Sequence, residues 1–361
     1  MSDAYALPTP QLPAEQARSL VAERWGIEGG ATVLGSQQDA NFRIDGPERY
    51  VLKVSNPAFT EAELAAQEQA AAHLAAREPG LLIPRSMPGT DGRTLQPVTV
   101  GGRPTWMRLL TFLEGGVLSD SRYLAPSVVA ALGDLIGRTS RALATFDGRV
   151  PPRILQWDLR HAAEVVDRLA QFVDEPEAVR DAAAKAEAAL APHRDRLPVQ
   201  VIHGDLTDDN VIAALDPAGR RRPAGVIDFG DLTESWAIGE LAVTLSSLLF
   251  YAEDDLSLVV PAVRAFEAVR PISDDEFAAL WPLVVLRAAT LAVSGRHQAH
   301  IDPGNTYATE NLDREWRIFE RAVSVPIEVM TALLRGPAAR SRVSGRPVLP
   351  GEFEKLDLST T

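Results

Sequence analysis

The chain carries 361 residues with a formal net charge of −13, 46% hydrophobic and 24% charged residues, and no cysteine. That length buries a large core and fits two lobes better than one compact unit, and the composition is that of a soluble globular protein. The acidic balance excludes nucleic acid as the main partner, and the missing cysteines exclude disulfides and thiolate metal sites.

No apolar run reaches the ~18 residues of a membrane span, and residues 1–16 lack the charged and apolar regions of a signal peptide. A cytoplasmic location away from membranes is the default expectation, although a cysteine-free chain is equally compatible with export.

In chain order, 31–35 and 41–44 are short strand-like pieces around a polar turn, and 49–55 (RYVLKVS) is a β-branched-rich strand. The pattern predicts a helix over 60–77, with Thr60 as N-cap and Glu63 as its capping-box acid. Segments 95–100 and 103–113 read as two more strands around a Gly-Gly turn. Five strands and one internal helix thus form an N-lobe over 1–113, ended by the flexible Glu114-Gly115-Gly116.

From about 121 the pattern turns helical, over 126–146, 158–172, 175–192, 236–251, 257–269 and 275–299. Only 199–205 (VQVIHGD) and 224–231 (AGVIDFGD) interrupt it as strand–loop pieces. This C-lobe spans 114–335, and 336–361, rich in Arg, Ser, Gly and Pro, reads as a linker or disordered tail. The expected class is α+β, an antiparallel five-stranded sheet plus helix followed by a mostly helical lobe.

Among the 36 basic residues only Lys53, Lys185 and Lys355 are lysines, so a lysine inside an apolar strand calls for a specific reason. Phosphoryl transfer supplies one. It needs cations on the phosphates, a metal held by oxygen ligands, and a carboxylate that aligns the acceptor hydroxyl and takes its proton. Lys53, between Leu52 and Val54, is placed to hold the α- and β-phosphates. An exposed lysine on an edge strand is the competing reading.

An acid on the following helix would orient Lys53. Glu61, Glu63 and Glu68 are the candidates; Glu68 is preferred, because Glu63 suits the capping box.

In HGDLTDDN (203–210), Asp205 and Asn210 have the spacing of a kinase catalytic loop, the aspartate facing the acceptor hydroxyl and the asparagine oxygen reaching Mg²⁺. His203 reads as a structural brace. Asp208 and Asp209 are either substrate contacts or turn formers, Asp209 rather the latter. In IDFGD (227–231), Asp228 would chelate Mg²⁺, and Gly230 would let the backbone turn sharply. The segment 35–42, with Ser36 and Asn41, would lie over the phosphates and offer backbone N–H groups. It lacks the glycine-rich protein-kinase pattern, and no Walker-type lysine loop occurs in the chain.

On these residues the chain resembles the aminoglycoside phosphotransferase/choline kinase-like superfamily, and within it most the hydroxylysine kinase branch. The segments that carry the resemblance are 38–44, 49–57, Gln67, 107–115, 156–161, 203–210, 225–231 with 240–242, and a late helix at Leu286-Arg287. The resemblance implies a bilobal protein-kinase-like fold, with an adenine or guanine clamped against Leu110, Thr111, Phe112 and Leu113. It further implies ATP or GTP with Mg²⁺, and an acceptor near Asp205 and Asp231 whose hydroxyl is that of a hydroxylysine-like amino acid or amino alcohol. A fused or partner PLP-dependent lyase accompanies some relatives; the tail after 336 reads equally as the stub of such a fusion or as a disordered end.

An amino-acid acceptor would need a cation for its carboxylate, for which Arg287 and Arg296 are candidates, and groups for its amines, for which Asp231, Glu240 and Trp157 are. Each has a structural alternative. Two other enzymes stay in view: an aminoglycoside-type antibiotic kinase with a broad acidic groove, and a kinase of Ser or Thr in a peptide. A non-catalytic scaffold is disfavoured by the joint presence of Lys53, Asp205, Asn210 and Asp228.

Overall fold

The computed structural model describes residues 7–253, 255–305 and 309–336. Apart from Gly336, the expected tail lies outside them.

The first described helix, α1 (Ala14–Trp25), was not expected from the sequence. It starts after Pro13, buries Ala17, Val21 and Trp25 one turn apart, and stops at Gly26, whose φ of 67° suits a residue without Cβ. An antiparallel sheet follows: β1 (Gly30–Leu34), β2 (Ala40–Asp45), β3 (Arg49–Val54), β4 (Ser86–Met87), β5 (Gln96–Val100) and β6 (Arg103–Thr111). Its order is β1-β2-β3-β6-β4, with β5 also on β6, so it holds six strands rather than five. The two-residue β4 is too short to leave a pattern.

Register decides what β3 presents. Lys53 lies opposite Asn41 of β2 and Arg108 of β6. Phe42, Ile44, Leu52, Val54, Met107 and Leu109 pack with α1 into one buried cluster. Helix α2 (Glu61–Arg77) begins as expected, with Thr60 and Glu63 closing a reciprocal capping box.

The C-terminal part is helical: α3 (Pro126–Leu143), α4 (Ala162–Leu169), α5 (Pro176–Leu190), α6 (Gly239–Leu248), α7 (Val260–Val269), α8 (Asp274–Ile301), α9 (Leu312–Val323) and α10 (Ile327–Arg335). Helix α8 is its axis: α4, α5, α6, α9 and α10 all pack on it. By length and composition α8 matches a membrane span, but 89% of its most apolar window is buried inside the protein, which makes it a core helix here.

Two hairpin-like pairs carry the loops of interest: β7 (Val199–Ile202) with β10 (Thr233–Trp236), and β8 (Val211–Leu215) with β9 (Arg221–Val226). The loop between β1 and β2 is tied down from three directions. Gln37 O accepts from Thr9 Oγ1 and from Gln298 Nε2 at the end of α8, both at 3.2 Å, and Ser36 O accepts from Asn305 Nδ2 at 3.1 Å.

Candidate active site

The loops after β7 and β9 end side by side on a cleft of about 830 Å³. The first is braced from beneath by Glu240, which accepts from the backbone N–H of His203 at 2.7 Å and of Gly204 at 3.3 Å. His203 Nδ1 accepts from Asp205 N–H at 3.3 Å, so Nε2 carries the proton and donates to Ile227 O at 2.9 Å. Burial pushes its pKa down to about 4, which makes it a neutral strut. Gly204 sits at φ 83°, and a Cβ there would lie 2.4 Å from Asp231 O, so the two loops meet backbone to backbone.

Asp205 faces the cleft with both carboxylate oxygens engaged. Oδ1 accepts from Arg287 Nη2 at 2.6 Å, and Oδ2 from Asn210 Nδ2 at 2.7 Å. Burial pushes the Asp205 carboxyl well above its usual range; Arg287 pulls against this, and the charges of Asp231, Asp228 and Asp209 add to it. Burial likewise lifts Asp231 to about 6, again against Arg287.

Lys53 points into the same cleft. Its Nζ lies 2.5 Å from Asp228 Oδ1 and 3.3 Å from Asp39 Oδ2. Burial opposes the ammonium, but the two carboxylates outweigh it and hold its pKa above the ordinary lysine value. Asp228 occupies the left-handed region at φ 59°, held there by its own Oδ1 accepting from Gly230 N–H at 3.1 Å. The sharp turn thus falls on the aspartate rather than on Gly230. The glycine instead keeps the approach open, because a Cβ there would meet Asp228 Oδ1 at 3.0 Å.

Several expected site residues lie elsewhere or do something else. Glu68 does not reach Lys53; it accepts from Thr94 Oγ1 at 2.8 Å. Glu61 is exposed, and Glu63 is occupied by the capping box and by Arg153. The residue of α2 that faces the site is Gln67, which accepts from Arg108 at 2.9 Å and donates to Gly230 O at 3.3 Å.

Glu240 is fully buried behind the loop, so it presents nothing to an acceptor. Asp208 is also fully buried, held by Arg314 at 2.7 Å and by the Tyr251 hydroxyl, while Asp209 lines the cleft. Trp157 does line the cleft, but the cation over its ring is Arg287, 4.6 Å from the centroid. Arg296 is outside the cleft lining.

Leu110, Thr111, Phe112 and Leu113 line the cleft together with Ser36 and Asn41. Ser36 Oγ accepts from Asp39 N–H, and Asn41 Oδ1 is buried with no partner among the described residues. Asp39, Gln67, Arg108, Arg314 and Glu315 escaped the sequence reading as site residues. For Gln67 a signal existed, because it falls on the buried stripe of α2 with Leu64, Ala70 and Leu74.

The donor set can be tested against a divalent cation. Asp228, Asn210 and Asp205 place hard oxygen atoms on one wall. Among the described residues no three His, Cys, Asp or Glu side chains form a metal cage of their own. A cation such as Mg²⁺ takes one or two protein carboxylates and completes its shell with phosphate oxygens and water, and Asp228 with Asn210 offers such a partial set.

Residues 30–281 match the model of the phosphotransferase enzyme family. The chain belongs to this family. Hydroxylysine kinase of Danio rerio is 24% identical over 311 residues, 82% of this chain and 87% of the relative. Homoserine kinase of Methylobacillus flagellatus is 33% identical over 222 residues, 60% of this chain and 63% of the relative.

Among solved structures, a microcompartment-associated aminopropanol kinase matches at TM-score 0.64 and 18% identity, over 86% of this chain and 98% of its own. An amicoumacin kinase in complex with AMP-PNP and Ca²⁺ matches at TM-score 0.63 and 14% identity, over 88% and 95%. The structural likeness confirms the kinase-like α+β fold, and the sequence likeness includes the hydroxylysine kinase branch. The phosphotransferase is a small-molecule kinase with a hydroxyl group as acceptor.

Proposed function

We propose that this kinase transfers the γ-phosphoryl group of ATP or GTP to the hydroxyl of a hydroxylated amino acid or amino alcohol of the hydroxylysine type, with Asp205 as base. One observation carries the reading: Lys53, Asp205, Asn210 and Asp228 line a single cleft and are linked in it by hydrogen bonds and an ion pair. In the reaction, Asp205 takes the acceptor's proton, its oxygen forms the new bond to the γ-phosphorus, and the bond to the β-phosphate oxygen breaks to release the nucleoside diphosphate.

Residues 1–113 would serve the nucleotide, with its base against Leu110–Leu113, Lys53 on the phosphates, and Ser36 and Asn41 over them. Residues 114–335 would supply the catalytic loop and the acceptor pocket. Asp228 and Asn210 would hold Mg²⁺, which when bound neutralises charge on the phosphates. Asn210 also fixes the rotamer of Asp205, and Arg287 holds its other oxygen. Asp231, raised by burial, stands next to the acceptor.

An aminoglycoside kinase is the second reading, and the cleft disfavours it. Its acceptor end sets Arg287 and Arg314 among Asp209, Asp231 and Glu315, a mixed lining where a polycation would need a uniformly acidic one.

The test is nucleoside-diphosphate release with ATP and GTP across hydroxylysine, homoserine, ethanolamine, choline and kanamycin. Turnover on the amino-acid or amino-alcohol acceptors, lowered ~10²- to 10⁴-fold in Asp205→Asn, is the expected result. Full activity of that variant would remove Asp205 from the chemistry.

A further inference from the structure

The acceptor end of the cleft holds two buried ionic groups with polar atoms that lack hydrogen-bond partners among the described residues. Arg287 is 2% exposed; one of its nitrogens is engaged by Asp205, while Nε and Nη1 have no hydrogen-bond partner among the described residues. Glu315 of α9 is 6% exposed, and its Oε2 is likewise without a partner. Both side chains line the cleft.

The placement of Glu315 depends on its neighbour. A Cβ at Gly295 would fall 1.7 Å from Glu315 Oε2, so this carboxyl reaches its position only because α8 carries a glycine there. Gly295 stands two turns after Arg287 on α8, a rise of about 12 Å. Leu291, between them, lines the cleft, as does Ile318 from α9. Arg287 is also the strongest charge acting on Glu315, ahead of Arg314 and Arg296, so a buried cation and a buried acid share one end of the cleft beside an apolar strip. Leaving buried polar atoms without hydrogen bonds is costly, and a ligand that bonds to them with complementary charge removes that cost.

Resting on the kinase reading above, we propose that the acceptor is zwitterionic: its carboxylate meets the free edge of Arg287, its ammonium meets Glu315, and its methylene stem lies along Leu291 and Ile318. This narrows the acceptor to a hydroxylated amino acid and sets aside a simple amino alcohol. Burial lifts the Glu315 carboxyl to about 8 against the pull of Arg287, Arg314 and Arg296, and a bound ammonium would add to that pull.

The experiment compares acceptors that differ by one charged group. Homoserine is run beside 3-aminopropan-1-ol, which lacks the carboxylate, and 4-hydroxybutanoate, which lacks the ammonium. In parallel, 5-hydroxylysine is run beside 1,5-diaminopentan-2-ol. Each is assayed with the whole chain and with Glu315→Gln, and nucleotide binding is followed by thermal shift as a check on the fold.

The expected result is kcat/KM higher for the zwitterion in at least one set, by about 10- to 100-fold. Glu315→Gln should erase the advantage of homoserine over 4-hydroxybutanoate and leave nucleotide binding intact. Equal turnover of acceptor and decarboxylated counterpart in both sets would overturn the proposal. So would a Glu315→Gln variant that lowers every acceptor by the same factor, or turnover of kanamycin alone. Silence on all acceptors with nucleotide binding intact would overturn it too, while loss of nucleotide binding in the unaltered chain would remove the kinase reading with it.

Discussion

Arg287, buried on α8, places Nη2 2.6 Å from Oδ1 of Asp205 and stacks on Trp157. The carboxylate proposed as the base is thus positioned by a residue 82 places further along the chain. Removing one partner of a buried pair leaves the other charged and unmatched. Asp205 keeps a quarter of its side-chain surface exposed, which moderates the cost.

Arg287→Met should lower the unfolding free energy by about 2–3 kcal/mol in urea denaturation. Adding Asp205→Asn should return part of that loss, because the double variant has no stranded charge. Strict additivity of the two single effects would show that the pair is not coupled.

Gln67, not Glu68, links α2 to the loop that carries Asp228. Gln67→Ala should reduce kcat/KM about tenfold, equivalent to about 1.4 kcal/mol in the barrier. Glu68→Gln should stay within about twofold, since Glu68 bonds to Thr94 and acts on Arg108 only through its charge. Steady-state kinetics separates the two, and the reverse order would restore Glu68 as the orienting acid.

Asp228 joins Lys53 to the expected metal position. Nucleotide at about a hundred times its Kd should stabilise the unaltered chain by about 2.7 kcal/mol. Most of that gain should disappear on chelation with EDTA. In Asp228→Asn the nucleotide-induced shift should become insensitive to Mg²⁺; a shift that still depends on the metal would place its ligands elsewhere.

Glu240 gives the pH prediction. Burial raises its carboxyl to about 7 from an ordinary 4.5, although the N–H groups of His203 and Gly204 pull it down. Between those values the folded chain binds more protons at this site than the unfolded one. Its contribution to stability therefore falls as pH rises from about 4.5 to about 7, and is constant above. His203, lowered to about 4, works in the opposite sense over an overlapping range. The difference between the unaltered chain and Glu240→Gln isolates the glutamate: relative to the parent, the variant should gain stability across that window. A flat difference would mean that Glu240 is ionised throughout.

What the sequence revealed and what it hid have physical causes. The loops around Asp205 and Asp228 were legible because each packs its function into a few adjacent residues after an apolar strand. Lys53 was legible because it sits inside an apolar strand and lysine is rare in this chain. The error over Glu68 is one of helix phase. Neighbouring residues differ by about 100° around the axis, and the stripe of Leu64, Ala70 and Leu74 already put Gln67 on the inner face.

Helix α1 was hidden by the prolines before it, which masked the one-turn spacing of Ala17, Val21 and Trp25. Glu315 could not be found at all. Its place is set by α9 crossing α8 at Gly295, a contact between distant segments that leaves no local trace.

The ties on the loop between β1 and β2 also bear on how the cleft can breathe. With Thr9, Gln298 and Asn305 fastened to Ser36 and Gln37, that rim is sewn to the far end of the central helix. Any opening then falls to the other borders of the cleft, Leu110–Leu113 among them, like a book held shut at its spine. The stitches are single neutral hydrogen bonds to backbone oxygen, each of modest worth. Cutting them one at a time, for example with Asn305→Ala, should loosen the spine by degrees and speed product release before it harms the fold.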